Sequence, residues 1–110
     1  MKSLFSGICM MAAVSSATVM ASDTPIFELM IQDHKFQPAE FTVPAGQKVK
    51  LLITNKDSTP EEFESYELNR EKLIPGGKQV VIFIGPLKPR HYPFIGEFNA
   101  DTAKGVIVVQ

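Results

Sequence analysis

A short acidic segment is the part of this chain best suited to chemistry. It carries four glutamates, Glu61, Glu62, Glu64 and Glu67. If the segment is a strand, alternation places Glu62 and Glu64 on one face and Glu61 on the other. Carboxylates suit iron and harder divalent cations better than Cu(I), which prefers sulfur, and they repel one another at close range unless a cation offsets their charge. The cluster therefore indicates a divalent metal site, with a solvated loop as the alternative.

Further donors occur later in the chain. Glu97 and Asp101 lie in a polar loop, and His91 precedes that loop as a candidate imidazole ligand, or as an ordinary surface histidine. His34 lies in a turn that we expect nearer the opposite end of the domain, where its role is structural. The predicted metal ligands are Glu61, Glu62, Glu64, His91, Glu97 and Asp101.

The rest of the chain reads as short strands separated by Pro, Gly, Asn and Asp, a pattern typical of an all-β sandwich or barrel. The best alternation is Lys48-Val-Lys-Leu-Leu-Ile-Thr54, as a half-buried strand requires. About seven strands are predicted, at 26–31, 41–43, 48–54, 63–68, 78–85, 92–98 and 106–109. The segment 61–72 is the least decided, because residues 66–72 could form a helical turn. The predicted core aromatics are Phe63, Tyr92, Phe94 and Phe98.

The N-terminal 21 residues are typical of a cleavable secretory signal peptide. Lys2 precedes an apolar run, and Val19-Met-Ala21 fits a small-residue cleavage site. The predicted division is a signal peptide at 1–21 and one domain at 22–110, exported to the periplasm or beyond and not membrane-spanning after cleavage. The domain then carries ten basic against twelve acidic residues, a net charge of −2, which gives no electrostatic footprint for nucleic acid.

Three segments, 34–46, 55–65 and 92–105, carry a family resemblance in their order and spacing. The first contains Phe36-Gln-Pro-Ala-Glu-Phe-Thr-Val-Pro-Ala-Gly46. Together they resemble the EfeO-type cupredoxin-like domains, small exported proteins usually associated with bacterial iron or copper handling. The resemblance implies a cupredoxin-like Greek-key β-sandwich with the two acidic loops at one end. It also implies that Asn55 braces those loops through hydrogen bonds to backbone.

The same resemblance argues against a blue copper centre. Copper-binding cupredoxins have a first histidine where Glu61 or Glu62 stands, a cysteine at Gly96 and a second histidine at Asn99. A methionine is expected near Thr102 or Ala103. The sole cysteine, Cys9, lies in the predicted signal peptide, whereas a type-1 site needs a thiolate with two imidazoles. We therefore expect no type-1 copper.

The leading functional prediction is an exported metal-handling or accessory protein. It would bind one divalent iron or copper ion and serve a membrane iron or copper transporter. A ferroxidase-like enzyme and a non-metal interaction module with a degenerate site are the alternatives. The sequence contains no nucleophile motif and no phosphate-binding glycine loop, so it gives no positive sign of an enzyme.

Overall fold

The computed structural model describes residues 24–110, which form nine strands and one short 3-10 helix. The predicted signal peptide and Cys9 lie outside the described residues. The elements in chain order are β1 (Ile26–Gln32), β2 (Lys35–Gln37), β3 (Glu40–Val43), β4 (Val49–Asn55), β5 (Glu61–Ser65), β6 (Arg70–Ile74), β7 (Gln79–Ile84), β8 (Arg90–Gly96), the 3-10 helix η1 (Glu97–Asn99) and β9 (Lys104–Val109).

The strands form two sheets, which confirms the all-β sandwich. One sheet has the order β2-β1-β4-β7 and the other β3-β9-β8-β5-β6. Most pairs are antiparallel, but β1 pairs with β4 and β3 pairs with β9 in parallel. Strands β5 and β8 are therefore neighbours in the five-stranded sheet. The helix η1 follows directly from the end of β8.

Alternation along the strands builds the core. In β4, Val49, Leu51 and Ile53 are buried while the residues between them are partly exposed. Phe36, Phe63 and Phe94 pack together in the centre, with Phe63 and Phe94 stacked at 5.1 Å between ring centroids. Burying such side chains contributes roughly 1.5–3 kcal/mol each, so these aromatics fix the positions of β5 and β8 from inside.

The seven predicted strands are all present, with bounds shifted by a few residues. Two further strands, β2 and β6, were not predicted; β6 occupies part of the segment considered for a helical turn, because its residues pair with β5. Among the predicted core aromatics, Phe63, Tyr92 and Phe94 are buried, but Phe98 is 53% exposed, since it lies in η1 beyond the end of β8. Within residues 24–110, no helix is long and apolar enough to cross a membrane.

Candidate metal-binding end of the sandwich

Strand β5 separates its three glutamates onto two faces. Glu61, Phe63 and Ser65 are buried, whereas Glu62 and Glu64 are partly exposed, which confirms the predicted alternation. Within its sheet, β5 pairs with β6 on one side and with β8 on the other. Glu61 and its neighbour Glu62 therefore occupy different environments although they are adjacent in sequence.

The structure brings together three of the six predicted ligands. Carboxylate oxygens of Glu62, Glu64 and Glu97 all lie within 4.8 Å of one another. A side-chain hydrogen bond with Glu97, partial burial and the surrounding negative charges raise the pKa of Glu64 to about 7. Partial burial and the nearby Glu71, Glu97 and Glu61 carboxylates also raise the pKa of Glu62. The trio is therefore a concentration of negative charge that a cation would relieve.

Glu71 contributes to this outer face and was not predicted. It lies directly opposite Glu64 in the β5–β6 register, and its charge helps to raise the pKa values of Glu62 and Glu64. Glu71 was missed because β6 was not predicted. That Glu71 lies opposite Glu64 can be inferred only when β5 and β6 are known to pair. We call Glu62, Glu64, Glu71 and Glu97 the outer carboxylates.

Glu61 lies on the other side of β5 and is 1% exposed. Its Oε1 accepts hydrogen bonds from the backbone N–H of Glu62 at 2.9 Å and of Phe98 at 2.8 Å. Its Oε2 accepts a hydrogen bond from Nδ2 of Asn99 at 2.9 Å. Both carboxylate oxygens are thus occupied by N–H donors, and the predicted assignment of Glu61 to the same metal site as Glu62 and Glu64 is not supported by this geometry.

Gly96 provides the space for the Glu61 carboxylate. A Cβ atom at residue 96 would lie 2.6 Å from Cδ of Glu61, 2.7 Å from its Oε2 and 2.7 Å from Cβ of Ala103. The backbone of Gly96 is extended, with φ −96°, a conformation open to any residue. Glycine is therefore required here by the packing of Glu61 and not by the backbone.

Asn55 braces the neighbouring loops, as the sequence predicted. Its side chain is fully buried, and Nδ2 donates to the carbonyl oxygens of Thr59 at 2.9 Å and Ile74 at 3.0 Å. Its Oδ1 accepts from the backbone N–H of Asp57 at 3.0 Å. Asn55 therefore fixes the connection between β4 and β5, and with it the start of the strand that carries the glutamates.

The remaining predicted ligands lie apart from the trio. His91 is exposed near the start of β8, at the opposite end of that strand from Glu97; five residues of extended chain separate it from Gly96, or about 17 Å. Asp101 is exposed beyond η1 and lines a surface depression with His34 and Thr102. The expectation that His34 lies at the other end was wrong, because its carbonyl oxygen accepts a hydrogen bond from Thr102 Oγ1 at 2.6 Å.

The residues at the expected copper positions do not fit a type-1 copper ion. A carboxylate, a glycine and an amide stand at residues 61, 96 and 99; Asn99 donates to the Glu61 carboxylate, and the lack of a side chain at Gly96 leaves room for it. Residues 24–110 contain no cysteine, so they cannot supply the thiolate that such a site requires. The Glu61 carboxylate and its N–H donors occupy this part of the structure.

Sequence comparisons identify relatives of the whole domain. The profile of the cupredoxin-like domain family matches residues 4–109. An uncharacterized protein of Rickettsia prowazekii (strain Madrid E) is 45% identical over 82 residues, which cover 74% of this chain and 66% of the relative. The chain thus spans just under two thirds of that relative's length.

Solved structures with the same fold include copper proteins. Auracyanin A, a blue copper protein from Chloroflexus aurantiacus, superposes with a TM-score of 0.68 and 15% identity, covering 80% of this chain and all of that one. The metal-binding domain of the Cu(I)-exporting P-type ATPase CopA of Streptococcus pneumoniae D39, with Cu(I), gives 0.66 and 15%, covering 77% and 84%. At this level of identity the likeness establishes the cupredoxin-like fold.

Proposed function

Because this chain belongs to the cupredoxin-like domain family, we propose that it is an exported metal-handling protein. It binds one divalent ion, iron or copper, and serves a membrane transporter for that metal, as the EfeO-type resemblance implies. The observation that carries the proposal is the convergence of Glu62, Glu64 and Glu97 within 4.8 Å. The solved copper proteins of the same fold support a metal-related role in general terms.

The chemistry of this site follows from its ligands. Three carboxylates offer oxygen donors without a thiolate, a set that favours harder cations over Cu(I). Glu62 and Glu64 share one face of β5, and Glu97 begins η1, so two rigid elements position the trio. A hydrogen bond with Glu97, partial burial and repulsion from the nearby carboxylates raise the pKa of Glu64 to about 7, and a bound cation would oppose that effect by favouring the ionised form. Ion binding and proton release are therefore coupled.

Calorimetric titration of chelator-stripped protein with Fe(II), Cu(II), Mn(II) and Zn(II) tests the proposal. The full chain should carry Cys9→Ser so that its sole thiol cannot bind the metal. We expect saturable binding of at least one ion with a dissociation constant below about 100 µM, which corresponds to a binding free energy of at least about 5.5 kcal/mol. Absence of saturable binding for all four ions would contradict a metal-handling role.

Matched variants locate the ion. Glu64→Gln combined with Glu97→Gln keeps side-chain size but removes two carboxylate ligands. We expect the dissociation constant of the ion to rise at least about tenfold, the smallest effect typical of changing groups around a bound metal. Glu67→Gln is the control, because Glu67 is also an exposed glutamate but lies outside the trio. Equal affinities for the double variant and the control would place the ion elsewhere.

Export is tested separately. We expect the mature protein from the periplasmic fraction to begin at Ser22, as N-terminal sequencing would measure. Recovery of the chain only in the cytoplasm with Met1 or Lys2 at its N-terminus would remove the exported role while leaving metal binding open to the titration.

An interaction module is the second candidate, and the outer face of the four-stranded sheet favours it. Ile26, Val81 and Phe83 are 55%, 38% and 44% exposed, and Lys50 of β4 pairs with both Ile26 and Phe83 across neighbouring strands. This candidate predicts that Val81→Ser with Phe83→Ser abolishes function in cells, whereas Glu64→Gln with Glu97→Gln preserves it. The opposite pattern would favour the metal role.

A further inference from the structure

The buried Glu61 carboxylate is not used by the proposed ion site. A buried charge is costly unless its hydrogen-bonding capacity is met, and three N–H groups meet it here at 2.8–2.9 Å. One donor belongs to β5 itself, while Phe98 and Asn99 belong to η1. The carboxylate therefore links two parts of the chain that are 37 and 38 residues apart.

The loop between β8 and β9 closes around this group. The backbone N–H of Ala103 donates to the carbonyl oxygen of Asn99 at 2.8 Å, and that of Gly96 donates to the carbonyl oxygen of Ala103 at 2.8 Å. Glu61 completes the closure from the core side through Phe98 and Asn99. Side-chain and backbone groups of the protein are thus sufficient to hold the segment 97–103, which we call the closing loop.

We propose that the Glu61 carboxylate replaces a metal ion as the internal centre on which the closing loop is organised. Residues 61, 96 and 99 stand at the positions that would supply ligands in a type-1 copper site. Instead, Asn99 donates to Glu61, and Gly96 leaves space for the Glu61 carboxylate. Oε2 of Glu61 lies 2.9 Å from Asn99 Nδ2 and 2.7 Å from where a Cβ of residue 96 would lie. The loop is therefore preformed without metal, and this position is closed to an ion.

Holding the closing loop and binding a cation are separate properties of this end of the domain. Glu62, Glu64 and Glu97 lie on the outer side of β5 and at the start of η1, and their cation binding can fail while Glu61 still holds the loop. Conversely, Glu61 can prove dispensable while the outer trio still binds an ion. Titration measures the first property, and amide hydrogen exchange at Phe98 measures the second.

Hydrogen exchange of the full chain, stripped with chelator, provides the main test. We expect the Phe98 amide to be protected in the metal-free wild type, because its N–H donates to Glu61. Relative to the amides of β4, its exchange should become at least about tenfold faster in Glu61→Ala, as expected for local loss of structure. Glu67→Ala is the control and should leave this ratio unchanged within about twofold.

Two outcomes would overturn the inference. The first is a Phe98 amide that exchanges freely in the metal-free wild type and becomes protected only when Fe(II) or Cu(II) is added. The second is unchanged protection in Glu61→Ala. If Glu61→Ala does not fold, Gly96→Ala decides the matter: its Cβ would lie 2.6 Å from Cδ of Glu61 and displace the carboxylate, so exchange at Phe98 should accelerate, and protection equal to wild type would contradict the proposal.

Substitution at Gly96 gives an independent test of the packing. Gly96→Ala should displace the Glu61 carboxylate and accelerate exchange at Phe98 in the wild-type background. In the Glu61→Ala background, two of the three close contacts are gone, so the same substitution should add much less. Equal effects in the two backgrounds would show that Gly96 and Glu61 act independently and would reject the inference.

Discussion

Glu61 and Glu62 are adjacent glutamates with opposite environments. Glu61 is buried and accepts three hydrogen bonds from N–H donors. Glu62 is partly exposed, and partial burial together with the surrounding carboxylates raises its pKa. The first carboxylate stabilises the fold by accepting those hydrogen bonds. The Glu62 carboxylate lies among the outer carboxylates, which repel one another when all of them are ionised. A strand can therefore carry a structural anion and a candidate ligand at consecutive positions, because alternation sends them to opposite faces.

The largest expected effect comes from comparing Glu61→Ala with Glu62→Ala. Removing Glu61 leaves buried N–H donors without acceptors, which should lower the free energy of unfolding by about 3 kcal/mol. Glu62→Ala should cause no loss at neutral pH, because it reduces repulsion among the outer carboxylates. Urea denaturation of both variants measures the difference. Equal destabilisation by the two substitutions would remove the distinction between the inner and outer glutamates.

A smaller effect is expected from pH, and it has a definite sign. The pKa of Glu64 is about 7 in the folded protein against an ordinary value of 4.5, so the folded state binds the proton more tightly than the unfolded chain. This group's stabilising contribution is complete below pH 4.5 and is lost as the pH rises through about 7. Metal-free protein should therefore show a falling urea midpoint between about pH 5 and about pH 8 from this group.

Glu64→Gln is the control for that pH dependence. The amide does not titrate, so the variant should show a flatter change in urea midpoint over the same range than the wild type. Identical slopes would indicate that other groups dominate. Adding a saturating divalent ion should also flatten the wild-type curve, since bound cation favours the ionised carboxylates.

The smallest effect is expected at His91. It lies about 17 Å of extended chain from Gly96, farther than the Debye length of about 8 Å at physiological salt. We therefore expect His91→Ala to change the cation dissociation constant by less than about twofold, as measured by the same titration. A tenfold or greater loss of affinity would mean that the ion is bound near the start of β8 and not at the outer carboxylates.

Local pattern was sufficient for much of the fold and for part of the site. The alternation in β4 and β5 is encoded in consecutive residues, so the buried and outward faces could be assigned from sequence. The distance between His91 and Glu97 could also be predicted from sequence. His91 lies near the start of one strand and Glu97 directly follows its end, so the length of the strand fixes the distance. The prediction of His91 as a ligand in the same site as Glu97 did not take the length of β8 into account.

The pairing of strands that are distant in sequence could not be predicted from local pattern. Arg70-Glu-Lys-Leu-Ile74 has four exposed residues before its one buried residue, so it lacks the alternation that would identify β6, and Glu71 was missed with it. The hydrogen bonds from Phe98 and Asn99 to Glu61 join residues 37 and 38 positions apart. Their existence depends on how β5 and β8 align, which no local window reveals.

The absence of a side chain at Gly96 also restricts the substitutions that this protein can accept. A lone change to cysteine would force the new Cβ against the Glu61 carboxylate and Ala103, so a mutant with thiolate chemistry would be damaged before it gained any ligand. Replacing Glu61 first would leave its three donors without an acceptor. Evolution or design towards a copper centre from this sequence must therefore change both residues together, because either change alone is expected to destabilise the protein.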